Sequence, residues 1–141
     1  MASNVDVLLL DTSAAIALVD ESNGFHEAVN AATRGKALGL SGHACFETYS
    51  VLTRLPYPAR LSGMDAARLI AAEFPETVYL DGSAADQLVS HFASGGIIGG
   101  AVFDGLVGAC AKTHGLTLLS CDSRAKSTYE VLGVAYRLVA A

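Results

Sequence analysis

The sequence predicts a single three-layer α/β/α domain built on a mainly parallel sheet. Short apolar runs alternate with segments of helical periodicity along the chain, a pattern typical of α/β folds. The runs hold apolar residues at consecutive positions, as strands do when helices cover both faces of a sheet. With 141 residues, 52% of them hydrophobic and 16% charged, the chain has the length and composition of one domain over residues 1–141.

Apolar runs predict five strands, which are taken in chain order. They cover residues 5–10, 37–40, 77–80, 116–120 and 134–139. The first run stops at Asp11 and the fourth stops before Asp122. Two aspartates therefore follow the two most apolar strands.

Helices are predicted between these strands from apolar spacing and capping residues. Thr12 or Ser13 is expected to cap the first helix. Ser62 and Ser83 each stand three residues before an aspartate, as in a capping box, and Gly115 is expected to end the long helix before the fourth strand. The predicted helices cover residues 14–19, a segment before Gly35, 44–55, the segments after Ser62 and Ser83, 101–114 and 126–132.

Composition excludes several classes of protein. The longest unbroken apolar run, residues 14–19, is far shorter than the roughly 18–20 residues of a membrane span. Asp6 and Asp11 interrupt the region where a signal peptide would need an apolar core, so the cytoplasm is the expected compartment. The three cysteines include no C-x-x-C pair, which argues against a disulfide framework and a structural zinc site.

The charge balance is acidic, with 14 acidic and nine basic residues and a net charge of −5. This balance disfavours indiscriminate binding to nucleic acid. Acids that are gathered in one cleft can nevertheless be neutralised by a divalent metal, leaving basic residues on the rim to meet phosphate. The distribution of the charges therefore matters more than their sum.

Four carboxylates stand where they could form one site. Asp11 and Asp122 follow strands, and ligands of parallel sheets collect beyond the carboxyl ends of strands. Glu47 and Asp104 interrupt apolar helical segments. Individually, the first two could be cap residues and the other two could face solvent.

If the four share a cleft, they need a cation. Two carboxylates about 6 Å apart repel by roughly 2.8 kcal/mol at an effective dielectric constant of 20. Hard oxygen ligands suit Mg²⁺ or Mn²⁺ better than zinc.

Four segments that contain these acids together resemble the PIN domain, and particularly its VapC-type bacterial toxins. They are residues 8–13 (LLLDTS), 46–52 (FETYSVL), 103–109 (FDGLVGA) and 114–122 (HGLTLLSCD). The resemblance covers nearly the whole chain, in order and with similar spacing. Members of this family are Mg²⁺- or Mn²⁺-dependent endoribonucleases, usually dimeric, and a co-expressed VapB-type antitoxin holds them inactive.

The resemblance implies roles for individual residues. It places catalytic, metal-binding carboxylates at Asp11, Glu47, Asp104 and Asp122, with supporting hydroxyls at Thr12 and Ser120. Many relatives carry a further Asp or Asn soon after the fourth acid, whereas this chain has SRAK at residues 123–126. Whether one or two ions bind therefore stays open. The family chemistry needs no side-chain nucleophile, because a metal-activated water attacks the phosphate.

Basic residues near these segments are candidates for contacts with RNA phosphates. They are Arg54, Arg60, Arg124 and Lys126. Solvated surface charges are the alternative interpretation. For the antitoxin, we expect a basic side chain to enter the acidic cleft. Its apolar anchor is expected near Phe25, Tyr49, Leu52 and Leu55.

Two other functions fit part of the pattern. A catalytically silent PIN fold could serve as a binding module, although acids at all four positions argue against it. A phosphotransfer domain also places an aspartate after its first strand. A haloacid-dehalogenase-like phosphatase, however, needs an acid where Ser13 stands, and a receiver domain needs a lysine where Asp122 stands.

Overall fold

The computed structural model describes residues 6–140, and a four-stranded parallel sheet forms its centre. The strands are β1 Val7–Leu10, β2 Ala37–Leu40, β3 Thr117–Ser120 and β4 Tyr136–Leu138. Their order is β2-β1-β3-β4, and every neighbouring pair is parallel. Val5, where the first strand was predicted to begin, lies outside the described residues.

Apolar cores lie on both faces of the sheet. Side chains alternate along β1, so Leu8 and Leu10 pack in one core and Leu9 packs in another. In β3, Leu119 joins the first core and Leu118 joins the second. Strands buried on both faces are apolar at every position, which is why they could be recognised as continuous runs. The predicted three-layer α/β/α fold is confirmed.

Helices supply the outer layers. They are α1 Thr12–Val19, α2 His26–Thr33, α3 His43–Leu52, α4 Gly63–Glu73, α5 Gly82–Asp86, α6 Leu88–Gly95, α7 Ala101–Thr113 and α8 Lys126–Leu132, with a 3₁₀ turn at Ser123–Ala125. Helices α1 to α4 contribute to the core that contains Leu8, whereas α7 and α8 contribute to the core that contains Leu9. Among residues 6–140, no helix is long and apolar enough to cross a membrane.

The strand predicted over residues 77–80 is wrong. Only Val78 forms a bridge, to Ser41 beside the end of β2. Thr77 turns the chain, because its hydroxyl donates to the carbonyl of Phe74 and accepts from the amide of Leu40. Gly39 allows this close approach, since a Cβ there would lie 2.1 Å from the carbonyl oxygen of Glu76.

Two of the predicted helix caps are wrong and two are confirmed. The cap of α1 is Asp11, whose carboxylate accepts from the amide of Ala14, and not Thr12 or Ser13. Asp81, and not Ser83, caps α5. The amide of Asp65 donates to the Ser62 hydroxyl at 3.1 Å, as predicted. Gly115 follows α7 with a φ of +66°, in the left-handed region that favours glycine.

Candidate active site

The four carboxylates meet at one edge of the sheet. The chain passes from β1 to β2 on one side and later enters β3 on the other side of β1, which makes the gap between β1 and β3 a topological switch point. Asp11 follows β1 and Asp122 follows β3. Glu47 comes from α3 and Asp104 from the first turn of α7. All four line one cavity of about 140 Å³.

Asp11 is the most firmly held of the four. It is only 5% exposed, and one carboxylate oxygen accepts from the Ser13 hydroxyl at 2.6 Å and the Ala14 amide at 3.0 Å. The other oxygen accepts from the hydroxyl of Tyr129 at 2.9 Å. Burial raises the pKa of Asp11 and these hydrogen bonds oppose the rise. The carboxylate is therefore fixed in position but costly to ionise.

Asp104 experiences the repulsion expected of a shared cleft. Its pKa is raised to about 6, first by burial and then by the charges of Asp122, Asp11 and Glu47. The guanidinium of Arg124 acts in the opposite direction. The carboxylates thus repel one another, and Arg124 compensates only part of their negative charge.

Glu47 and Asp122 are each held by a neighbour. The Thr12 hydroxyl donates to Glu47 Oε1 at 3.2 Å. Asp122 Oδ1 accepts from the backbone amide of Arg124 at 2.9 Å and from its guanidinium Nε at 3.2 Å. Both carboxylates are half-buried. Each keeps one oxygen without a hydrogen bond to the described residues.

Ser120 holds the backbone of Asp122 in place. Its side chain is fully buried at the end of β3, and its hydroxyl oxygen accepts from the amide of Asp122 at 3.1 Å. Ser13 Oγ lies 3.5 Å from Ser120 Oγ and accepts from the amide of Cys121 at 2.9 Å. Hydroxyls therefore link the start of α1 to the end of β3.

The donor set suits Mg²⁺ or Mn²⁺ in its chemistry. It offers only oxygen ligands, and the raised pKa of Asp104 reveals charge that a cation would neutralise. Within the described part of the chain, however, no group of three or more acidic, histidine or cysteine side chains is arranged so that it could hold an ion as it stands. The fit to such an ion therefore rests on the oxygen donors and on their negative charge.

The basic candidates each have different contacts. Arg124 lies beside the acidic cavity through its ion pair with Asp122. Lys126 Nζ lies 3.9 Å from Glu130, and the Arg60 guanidinium donates to the carbonyl of Leu55 and stacks on Tyr57. Arg54 is exposed just beyond α3.

Sequence reasoning missed two residues of this site. Tyr129 is fully buried and belongs to α8, and Ser13 was considered only as a cap. A tyrosine in a helix could have been flagged, because a buried hydroxyl needs a hydrogen-bond partner. Its contact with Asp11 spans 118 positions of sequence, so no local pattern reveals it.

Comparison with known proteins gives consistent results. Residues 8–131 match the family model of the PIN domain. Ribonuclease VapC27 of Mycobacterium tuberculosis is 45% identical over 127 residues, which are 90% of this chain and 93% of that protein.

Two solved structures share the fold. VapC20 of M. tuberculosis, described as a sarcin-ricin loop cleaving toxin, has a TM-score of 0.66 at 17% identity and covers 90% of this chain and 95% of its own. VapBC2 of Rickettsia felis, bound to a DNA fragment from its promoter, has a TM-score of 0.65 at 11% identity, with coverages of 94% and 98%.

Proposed function

The chain belongs to the PIN-domain family, and from this membership we propose that it is a metal-dependent endoribonuclease that acts as the toxin of a type II toxin–antitoxin pair. The observation that carries the proposal is the cavity at the switch point, which Asp11, Glu47, Asp104 and Asp122 all line. The 45%-identical relative is named a ribonuclease, which supports RNA as the substrate. Cleavage of RNA would inhibit translation and growth.

The four carboxylates would hold one or two Mg²⁺ or Mn²⁺ ions. When bound, such an ion neutralises charge on the scissile phosphate and lowers the pKa of a water molecule, which hydrolyses the phosphodiester bond. Asp11 provides the fixed reference point, because three hydrogen bonds orient its two oxygens. Thr12 orients Glu47, while Arg124 and Ser120 orient Asp122 and the backbone before it.

Substrate would be positioned by basic residues at the rim. Arg124 is the best placed, since its side chain is 92% exposed and adjoins Asp122. Arg54, Arg60 and Lys126 would contact phosphates further from the cavity. Such contacts position RNA and carry no sequence information.

A VapB-type antitoxin is the proposed partner, and a homodimer in the cytoplasm is the proposed state. A basic antitoxin side chain would enter the acidic cavity, where the carboxylates offer it bidentate acceptors. The expected apolar anchor needs one correction, because Leu52 is buried, whereas Phe25 and Leu55 pack against the core but stay partly exposed. Tyr49 is exposed and lines an apolar groove of about 420 Å³ between α3 and α4.

An RNA-cleavage assay tests the function. We expect the wild type to cut RNA with Mg²⁺ or Mn²⁺ and not with EDTA. Asp11→Asn, Glu47→Gln, Asp104→Asn and Asp122→Asn should each reduce the rate by about 100-fold or more, because each removes a charged oxygen ligand. Asp86→Asn, at an exposed aspartate of α5, is the matched control and should keep full activity.

The same assay separates the alternatives. If the purified wild type binds RNA but does not cut it with either ion, the chain is a silent binding module. Retention of full activity by Asp122→Asn would reduce that residue to a cap of the 3₁₀ turn.

A further inference from the structure

A second cavity adjoins the acidic one. It measures about 280 Å³ and shares the lining residues Ser13 and Asp122 with the acidic cavity, so the two cavities lie side by side. We call it the side pocket. Its other lining residues used below are Ile16, Asn23, Phe25 and Arg124.

The turn between α1 and α2, which forms one wall of the side pocket, is preorganised by its own hydrogen bonds. Asn23 Oδ1 accepts from the amide of Phe25 at 2.9 Å, and its backbone carbonyl accepts from the amide of His26. Asp20 holds the preceding part of the turn by accepting from the amide and hydroxyl of Ser22. Phe25 in turn packs against the core. A ligand that binds here would therefore cost the turn little conformational entropy.

Asn23 and Arg124 present hydrogen-bond donors to the side pocket, whereas Asp122, which the side pocket shares with the acidic cavity, presents carboxylate oxygens. Because its oxygen is engaged by Phe25, Asn23 has its amide NH₂ left for a ligand, and that nitrogen has no hydrogen bond to the described residues. Arg124 donates from Nε to Asp122, and its two terminal nitrogens have no hydrogen bond to the described residues. Ile16 and Phe25 add apolar surface.

We infer that the side pocket binds the base of a nucleotide next to the scissile phosphate and favours uracil or guanine, which carry a carbonyl acceptor at C4 or C6 where cytosine and adenine carry an amino group. This inference rests on the proposed ribonuclease activity. A base has apolar faces for Phe25 and Ile16 and an acceptor edge for the Asn23 amide. Because the two cavities share lining residues, a base in the side pocket would lie next to the acidic cavity. Arg124 could then contact the phosphate between them.

Nuclear magnetic resonance tests binding without metal and without turnover. Uridine, guanosine, cytidine and adenosine are titrated separately into ¹⁵N-labelled protein in EDTA. We expect uridine or guanosine to shift the Asn23 side-chain amide and the Phe25 backbone amide at lower concentration than adenosine or cytidine does. No shift at either residue with any nucleoside overturns the inference.

A competition between RNAs tests base preference in the active protein. Single-stranded RNAs with randomised positions are cut in one reaction with Mn²⁺, and the new ends are sequenced. The wild type should favour uracil or guanine at one position flanking the cut by roughly three- to tenfold, the range of one neutral hydrogen bond.

Variants at Asn23 separate recognition from structure. Asn23→Asp keeps the acceptor for the Phe25 amide and removes the NH₂ donors, and Asn23→Ser keeps an acceptor without adding charge. Both should lower the preference to below about twofold while thermal melting remains close to that of the wild type. Asn30→Asp, on the exposed face of α2, is the control and should keep the preference.

Each outcome has one meaning. Nucleoside shifts without RNA cleavage would refute the proposed function and leave the pocket intact. Cleavage with an unchanged preference in both Asn23 variants would overturn the pocket alone. If those variants lowered the affinity for the antitoxin and left the base preference unchanged, the side pocket would bind a protein segment and the base assignment would be wrong.

Discussion

At Asp104, burial and three neighbouring carboxylates act on a single side chain. Its pKa in the folded protein, about 6, lies above the ordinary value of 3.8. Between these two values the folded state binds more protons than the unfolded state does. Without metal, Asp104 therefore reduces stability as pH rises from about 4 to 6, and burial of Asp11 acts in the same direction.

This sign leads to a pH-dependent prediction. In EDTA, the melting temperature of the wild type should rise when pH is lowered from 7 to 5, and Asp104→Asn should weaken that rise because it removes the titrating group. Asp86→Asn serves as the control and should retain the wild-type dependence. Thermal melts at pH 5, 6 and 7 measure it. An identical pH dependence in Asp104→Asn would show that its carboxyl does not experience the repulsion described above.

At the scale of elements, close packing of α7 on α8 holds Tyr129 against the site. Gly108 of α7 makes this possible, since a Cβ there would lie 2.9 Å from Tyr129 Cδ1 and 3.1 Å from Val134 Cγ2. Gly108→Ala should lower the free energy of unfolding by about 1–3 kcal/mol, because the side chains must shift in a close-packed core.

The matched control is Gly82→Ala in α5, where a Cβ would meet no atom within 4 Å. This change should leave stability the same or slightly higher, since alanine restricts the unfolded chain. Urea denaturation of both variants measures the difference. Equal stability of Gly108→Ala and the wild type would mean that α8 can move away without cost and does not hold Tyr129 in place.

Elements also show what could be predicted from sequence. Asp11 and Asp122 were located because buried strands end abruptly at the sheet edge where ligands bind. Asp81 was missed as a cap because Ser83 stands two residues later with an equally good local pattern. The segment around Val78 has strand composition, but the turn at Thr77 leaves only one bridge. In the segment around Val78, contacts between distant parts of the chain therefore determined the structure where the local sequence pattern alone was ambiguous.

At the scale of the whole molecule, the fold concentrates negative charge at one end of its central sheet. The chain carries a net charge of −5, and four of its 14 acidic residues line a single cavity. The ends of two adjacent parallel strands bring two of them together, and helices α3 and α7 add the others. The same arrangement that would create a metal site therefore destabilises the metal-free protein.

A cation that binds only the folded state should remove this cost. At a free concentration of 100 times Kd, binding adds about 2.7 kcal/mol to the free energy of unfolding. For a domain of this size that corresponds to a rise of roughly 8 °C in melting temperature. Thermal melts in EDTA and in excess Mg²⁺ or Mn²⁺ measure the shift. Asp104→Asn should melt higher than the wild type in EDTA and gain less from the ion, because part of the repulsion is already gone, whereas Asp86→Asn should behave as the wild type does. Equal wild-type melting temperatures with and without the ion, together with no heat of binding in calorimetry, would show that the four carboxylates do not act as one cation site.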